Sequence, residues 1–226
     1  MSLKSDRFYS ENAERLAASY DEVTFEAVHG VWLPLLPSSR GAALDIGAGT
    51  GRDARGLAEL GFSSVLAVEP NAELRAIGEA QSDGRIEWLD DSLPKLALLR
   101  EGKARFELIL MNAVWMHVAP SARCDTLRRV AEMLKPGGMF VLSYRQPRAG
   151  DEERGMYPTP VDEVQSLADK RGLSVERVLG EQGDKLGRND VEWTTVVMRR
   201  PGRDQDESGH NRSPERAGQE HPGCQP

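Results

Sequence analysis

Long apolar runs are missing from this chain of 226 residues, which nowhere approaches the roughly 18 consecutive apolar residues of a membrane-spanning helix. The first residues, Met1-Ser2-Leu3-Lys4-Ser5-Asp6-Arg7, do not open a signal-peptide apolar region. Cysteine is scarce: Cys124 and Cys224 are the only two, too few for a disulfide framework, so a reducing, cytoplasmic setting is expected. Together with four histidines they form none of the ligand spacings of a metal site, and no metal is expected. Positive charge is in deficit, with 29 Lys and Arg against 36 Asp and Glu and a formal net charge of −7. Phosphate neutralisation supplies most nucleic-acid affinity, so nucleic acid is an unfavoured partner. Arg123, Arg128 and Arg129 lie close together, but on a helix such a group reads as a solvated face.

What the chain does have is alternation. From residue 42 onward, short apolar runs interleave with amphipathic ones. Ala42–Ile46, Ser64–Val68, Arg85–Leu89, Glu107–Met111 and Met139–Tyr144 read as strands. Asp53–Leu60, Ala72–Ala80 and Ser121–Leu134 read as helices, the first closed by Gly61 and the last by Lys135-Pro136-Gly137-Gly138. Such alternation builds a parallel sheet covered on both faces. After Pro160 one more helix precedes two strands, Leu173–Leu179 and Val191–Met198, with no helix between them, so the sheet closes with an antiparallel hairpin. Residues 1–40 read as an N-terminal helical segment with two helices, about Glu11–Tyr20 and Thr24–Val31. Residues 41–200 form the main domain, and residues 201–226 carry the composition of a disordered tail. Nothing decides between a monomer and a homodimer.

The chemistry begins at Asp45-Ile46-Gly47-Ala48-Gly49-Thr50-Gly51, where an apolar strand ends in an acid and three alternate glycines. Glycine permits the turn and leaves room for a ligand against the backbone, and a following helix points free N–H groups at it. The spacing G-x-G-x-G differs from the dinucleotide fingerprint G-x-G-x-x-G. Asp45 would repel a phosphate but could hold an ammonium, so a ligand with a cationic amino-acid end and a nucleoside end fits better than a nicotinamide dinucleotide.

Ligands of open parallel sheets bind at the carboxyl ends of the strands. Those ends carry Gly47, Glu69, Asp90 and Asn112, one polar group for each strand-helix unit. Glu69, followed by Pro70, is placed to take both hydroxyls of a ribose. Asp90 or Asp91, before Ser92, could accept from an exocyclic amine. Asn112 and Ala113 would face the remaining end of the ligand or its reaction partner.

The ordered set Asp45–Gly51, Val68-Glu69-Pro70, Asp90-Asp91-Ser92-Leu93-Pro94 and Leu134-Lys135-Pro136-Gly137-Gly138 resembles the motifs of class I S-adenosylmethionine-dependent methyltransferases. The resemblance covers about residues 40–200. It implies an α/β fold, a single Rossmann-like doubly wound sheet of seven strands in the order 3-2-1-4-5-7-6 with strand 7 antiparallel, plus N-terminal helices. It also implies S-adenosylmethionine as cofactor. Asp45 and the backbone of Gly47, Ala48, Gly49 and Gly51 would then serve the methionine end, Glu69 the ribose, and Asp90 or Asp91 the adenine amine. N-terminal helices fold over the cofactor in many members, which makes Tyr20 the expected lid contact.

For the acceptor, His117 just after the fourth strand is the candidate base, since its unperturbed pKa near 6.5 suits proton acceptance. Trp115, with Met116, could wall the acceptor pocket, and Arg145 and Arg188 could grip a carboxylate bidentately. The fourth strand lacks the Asn/Asp-Pro-Pro-aromatic motif of amino methyltransferases and the Pro-Cys of pyrimidine carbon-5 enzymes. Asn112 replaces the acid that a catechol-type metal site would need. Methyl transfer to oxygen or nitrogen of a small molecule is therefore the expected function, with a cofactor-binding sensor or interaction protein without turnover as the alternative.

Overall fold

A computed structural model describes residues 3–100, 105–151, 154–185 and 191–202. The tail beyond Gly202 and the candidate carboxylate ligand Arg188 lie outside the described residues.

Seven strands form one sheet: β1 (Ala42–Ile46), β2 (Ser64–Val68), β3 (Ile86–Leu89), β4 (Phe106–Asn112), β5 (Leu134–Arg145), β6 (Ser174–Gly183) and β7 (Glu192–Arg199). Their order is β3-β2-β1-β4-β5-β7-β6, as the motif resemblance implied. The first five pair in parallel. β7 runs antiparallel to both β5 and β6, inserting the return strand of the hairpin between them. This is the expected seven-stranded Rossmann-like sheet.

The period of two along each strand sorts side chains onto two faces. Leu44, Ile46, Ile109, Met111, Phe140 and Leu142 face one core, which Leu127 and Val130 of α7 (Pro120–Met133) and Val164 and Ala168 of α8 (Val161–Lys170) cover. Ala43, Leu108, Leu110, Met139 and Val141 face the other, against Ala54 and Leu57 of α4 (Arg52–Glu59). Both faces are dry, which is why β1 and β4 are apolar nearly throughout.

The N-terminal segment is more helical than expected. An additional helix, α1 (Leu3–Glu11), precedes α2 (Ala13–Asp21) and α3 (Phe25–His29). α1 and α2 bury Tyr9, Ala13 and Leu16 against Leu74 of α5 (Ala72–Gln81). Asn71 joins the two layers: its side-chain oxygen caps α5 by accepting from Leu74 N at 3.1 Å, while its amide donates to Ser10 Oγ at 2.8 Å. The same helices therefore sit across the carboxyl ends of β1 and β2. α3 starts at an N-cap, with Thr24 Oγ1 accepting from Ala27 N at 3.2 Å, and sends Phe25 and the nearby Trp32 into the α4-side core. A short helix α6 (Ala97–Arg100) completes the described elements. Among the described residues no helix is long and apolar enough to cross a membrane.

Candidate active site

The glycine loop runs from β1 into α4 with Gly47, Gly49 and Gly51 all at positive φ, +74°, +57° and +82°. L-residues pay for that conformation and glycine does not. The turn is fastened from beneath, because Gly47 N and Ala48 N both donate to Val68 O, at 2.8 and 3.0 Å. A Cβ on Gly47 would fall 2.3 Å from Val114 Cγ2, whereas one on Gly49 would meet nothing nearer than Tyr20 Cε2 at 4.0 Å. The loop thus presents bare backbone to an open space.

That space is a cavity of about 420 Å³ lined by the loop, Glu69, Asn112, Ala113, the inner faces of α1 and α2, and the ends of β5 and β7. A second cavity of about 230 Å³ lies beyond β2, lined by Pro70, Asp91, Ser92, Val118 and Tyr157. Gly47 and Val114 line both, so the two meet at the tip of β1.

Glu69 lines the larger cavity, and its carboxylate accepts from Gly49 N at 2.9 Å and Asn71 N at 2.8 Å. Burial raises its pKa, and these two backbone donors work against the rise. Each carboxylate oxygen retains acceptor capacity for a further donor. Of the two acids after β3, Asp91 is the one at a cavity. It accepts from Ser92 N, Ala97 N and Leu98 N, which anchors the start of α6. Asp90 points outward, exposed, to Arg75 at 3.1 Å, and borders neither cavity.

Asp45 departs from its expected position. The pleat that turns Leu44 and Ile46 to one core turns Asp45 toward α4, where it is 1 % exposed and lines neither cavity. Its Oδ2 has no hydrogen-bond partner. Burial, and then the neighbouring Asp53 charge, raise its pKa well above the usual carboxylate range. Asp53 is the acid that reaches the cavity wall. Its Oδ2 accepts from Asn112 Nδ2 at 3.0 Å, while Oδ1 lies 2.8 Å from Arg52 Nε and 3.0 Å from His29 Nε2. Burial pushes Asp53 up, but His29 and Arg52 outweigh it and hold the carboxyl below its usual range. Trp32 Nε1 donates to His29 Nδ1 at 3.0 Å, so a buried chain runs Trp32–His29–Asp53–Asn112. The sequence reading missed this chain. The acid at the first turn of α4 was its only signal.

On the acceptor side the structure rearranges the expected roles. Tyr20 of α2 lines the larger cavity as expected, and burial drives its phenol pKa upward. Trp115 does not line it. The 3₁₀ turn Trp115–His117 rotates the indole fully into the core, with the Arg123 guanidinium 5.9 Å from the ring centroid, and brings Met116 to the cavity instead. Arg145 does border the cavity, but Asp151 occupies its guanidinium bidentately, at 2.6 and 2.8 Å. An arginine so engaged has lost the fork that would grip a second carboxylate.

His117 lies on the smaller cavity, bridging two segments rather than facing the larger one as a free base. Nδ1 is 2.9 Å from the Arg154 carbonyl, which can only accept, so Nδ1 carries the proton. Nε2 then accepts from the Tyr9 hydroxyl at 3.1 Å. Burial, followed by the Arg154 charge, lowers the His117 pKa to about 4. The imidazole is neutral near pH 7.

Residues 6–177 match the family model described as a methyltransferase domain. The chain belongs to this family. Its motifs and fold are those of class I S-adenosylmethionine-dependent methyltransferases, whose cofactor is S-adenosylmethionine. The chain is 32% identical over 123 residues to an arsenite methyltransferase of Aquipseudomonas alcaligenes, a match to 49% of this chain and 35% of that one. It is 28% identical over 142 residues to a ubiquinone/menaquinone biosynthesis C-methyltransferase of Rubrivivax gelatinosus, covering 60% and 53%. The chain thus spans about a third to a half of these curated relatives' length. Its fold is similar to that of Burkholderia thailandensis 1,6-didemethyltoxoflavin-N1-methyltransferase with bound 1,6-didemethyltoxoflavin and S-adenosylhomocysteine. There the TM-score is 0.60 at 19% identity, over 89% of this chain and 92% of that one.

The site fits the family's cofactor on its own terms. Two carboxylates on the wall of the larger cavity, Asp53 and Glu69, favour a cation there, and the bare backbone at Gly49 leaves room for close approach.

Proposed function

We propose that this chain transfers a methyl group from S-adenosylmethionine directly to an oxygen or nitrogen of a small-molecule acceptor. The observation that carries the reading is the pair of cavities joined at Gly47, with two carboxylates, Asp53 and Glu69, on the wall of the larger one. When bound, the cofactor supplies a methyl group already activated by sulfonium charge.

In this reading Asp53 faces the ammonium end, and the Gly47–Gly51 backbone lies along the methionine. Glu69 takes the ribose hydroxyls, and Pro70, Asp91 and Ser92 border the adenine, leaving Asp90 outside the site. Asn112 and Ala113 border the methionine part. Tyr20 and the α1–α2 pair cover the larger cavity and exclude water from it, the chief service a protein renders to such a transfer besides alignment. His117, neutral and bonded at both nitrogens, holds Tyr9 in place and is too weak a base to drive deprotonation of an alcohol. The acceptor therefore arrives with its nucleophile ready, as an amine or as an already ionised oxygen.

The test is incubation with isotopically labelled S-adenosylmethionine and a fractionated metabolite extract, read by mass spectrometry. A labelled small molecule is the expected result. No labelled product in any fraction, with the cofactor demonstrably bound, would favour a sensor without turnover.

A further inference from the structure

At the acceptor end of the larger cavity stands one cation that the described residues leave underpaired. Arg154 follows the loop after β5 and reaches the cavity wall beside α1. Its Nη2 donates to the Tyr9 hydroxyl at 3.1 Å, and its guanidinium lies 5.3 Å from the Phe8 ring centroid. Its Nε is buried with no hydrogen-bond partner. Among the described residues Asp151 is its ion-pair partner, with Oδ1 3.7 Å from Nη1 and outside hydrogen-bond distance, while both Asp151 oxygens accept from Arg145 at 2.6 and 2.8 Å. One carboxylate thus serves two guanidiniums, and the group carries a net positive charge. His117, being neutral, adds no further positive charge.

A half-buried guanidinium whose Nε is buried without a partner, and whose carboxylate is shared with a second arginine, is costly unless a ligand completes it. The walls around it are aromatic, Phe8 and Tyr9 on one side and Tyr20 on the other, which suits a flat ring. We propose that Arg154 is the anchor for an acidic group on the methyl acceptor, and that the acceptor is a planar aromatic anion such as a carboxylate. This rests on the methyltransferase reading and adds the substrate class to it. It also moves to Arg154 the carboxylate-binding role that the sequence suggested for Arg145 and Arg188. An anionic acceptor is opposite in charge to the cofactor's sulfonium, and an ionised oxygen or a free amine on it needs no strong base.

The experiment titrates 4-hydroxybenzoate and its uncharged methyl ester into the protein saturated with S-adenosylhomocysteine, followed by calorimetry. The acid should bind at least ten-fold more tightly than the ester in the wild type. Arg154→Gln should level the two while leaving S-adenosylhomocysteine affinity within two-fold. Tyr9→Phe, which keeps the guanidinium and removes the phenol contact, should retain the preference for the acid. Equal binding of acid and ester, binding of neither, or a preference that survives Arg154→Gln would each overturn the proposal. Failure of S-adenosylhomocysteine itself to bind would instead count against the methyltransferase reading.

Discussion

Gly49→Ala separates what the glycine loop does for folding from what it does for the ligand. Gly49 sits at φ +57°, and an added Cβ finds no protein atom nearer than Tyr20 Cε2 at 4.0 Å. The substitution therefore costs the fold only the left-handed strain of an L-residue, about 1–2 kcal/mol. For a domain of this size that corresponds to a melting-temperature loss of roughly 2–8 °C. Gly61, just beyond α4 at φ +86° with nothing within 4 Å of its would-be Cβ, is the matched control. Gly61→Ala should lose a similar amount of stability and bind S-adenosylhomocysteine as the wild type does. Gly49→Ala should bind it at least ten-fold more weakly, a further loss of about 1.4 kcal/mol that no protein contact explains. Differential scanning fluorimetry and titration calorimetry on the three proteins give both quantities. Wild-type affinity in Gly49→Ala would refute the claim that the ligand lies against this backbone. An equal affinity loss in Gly61→Ala would show that the effect came through folding.

Other expectations follow from the buried charges. Asp45→Asn should not lower the melting temperature of the ligand-free protein at pH 7, as scanning fluorimetry would show, because it replaces a buried carboxyl whose Oδ2 has no partner. Because the Asp45 pKa is raised in the fold, its charge costs stability progressively as pH rises above the ordinary carboxylate range, and the wild-type-minus-variant difference in urea unfolding should fall with pH accordingly. His117 has the opposite sign. Its pKa falls from 6.5 to about 4 on folding, so stability is lost as pH drops through that interval, by at most roughly 3 kcal/mol, and His117→Gln should abolish that part of the pH dependence. Asp151→Asn leaves the buried Arg145 guanidinium without its carboxylate and should cost about 3–5 kcal/mol in denaturant titrations; a loss under 1 kcal/mol would remove this pair from the account.

The strand alternation and the glycine spacing made the sheet and its ligand-binding edge legible, because period and turn chemistry are local properties of the chain. The additional N-terminal helix was less so. α1 earns its stability from Tyr9 packing with Leu16 and Leu74 rather than from an apolar stripe of its own. Gly47, Gly49, Glu69 and Asn112 stand at the larger cavity, where the spacing of the strand tips put them. Residues brought to the cavities by a partner far along the chain were not legible. Arg154 meets Tyr9 across 145 positions, and His117 meets Tyr9 across 108, distances over which no pattern carries information. Arg145 misled in the reverse way: its partner Asp151 lies six residues on, in a loop whose crossing back over β5 has no periodic signature. Asp45 was placed correctly in sequence and wrongly in depth, since one step of the pleat turned it behind the cavity wall.

The central claim is that the joined cavities form a single S-adenosylmethionine site. Titration calorimetry of the purified chain with S-adenosylhomocysteine and, separately, with NAD tests it most directly. The account predicts saturable heat at one equivalent of S-adenosylhomocysteine and none with NAD. Saturable binding of NAD, or no binding of S-adenosylhomocysteine by folded protein, would contradict it.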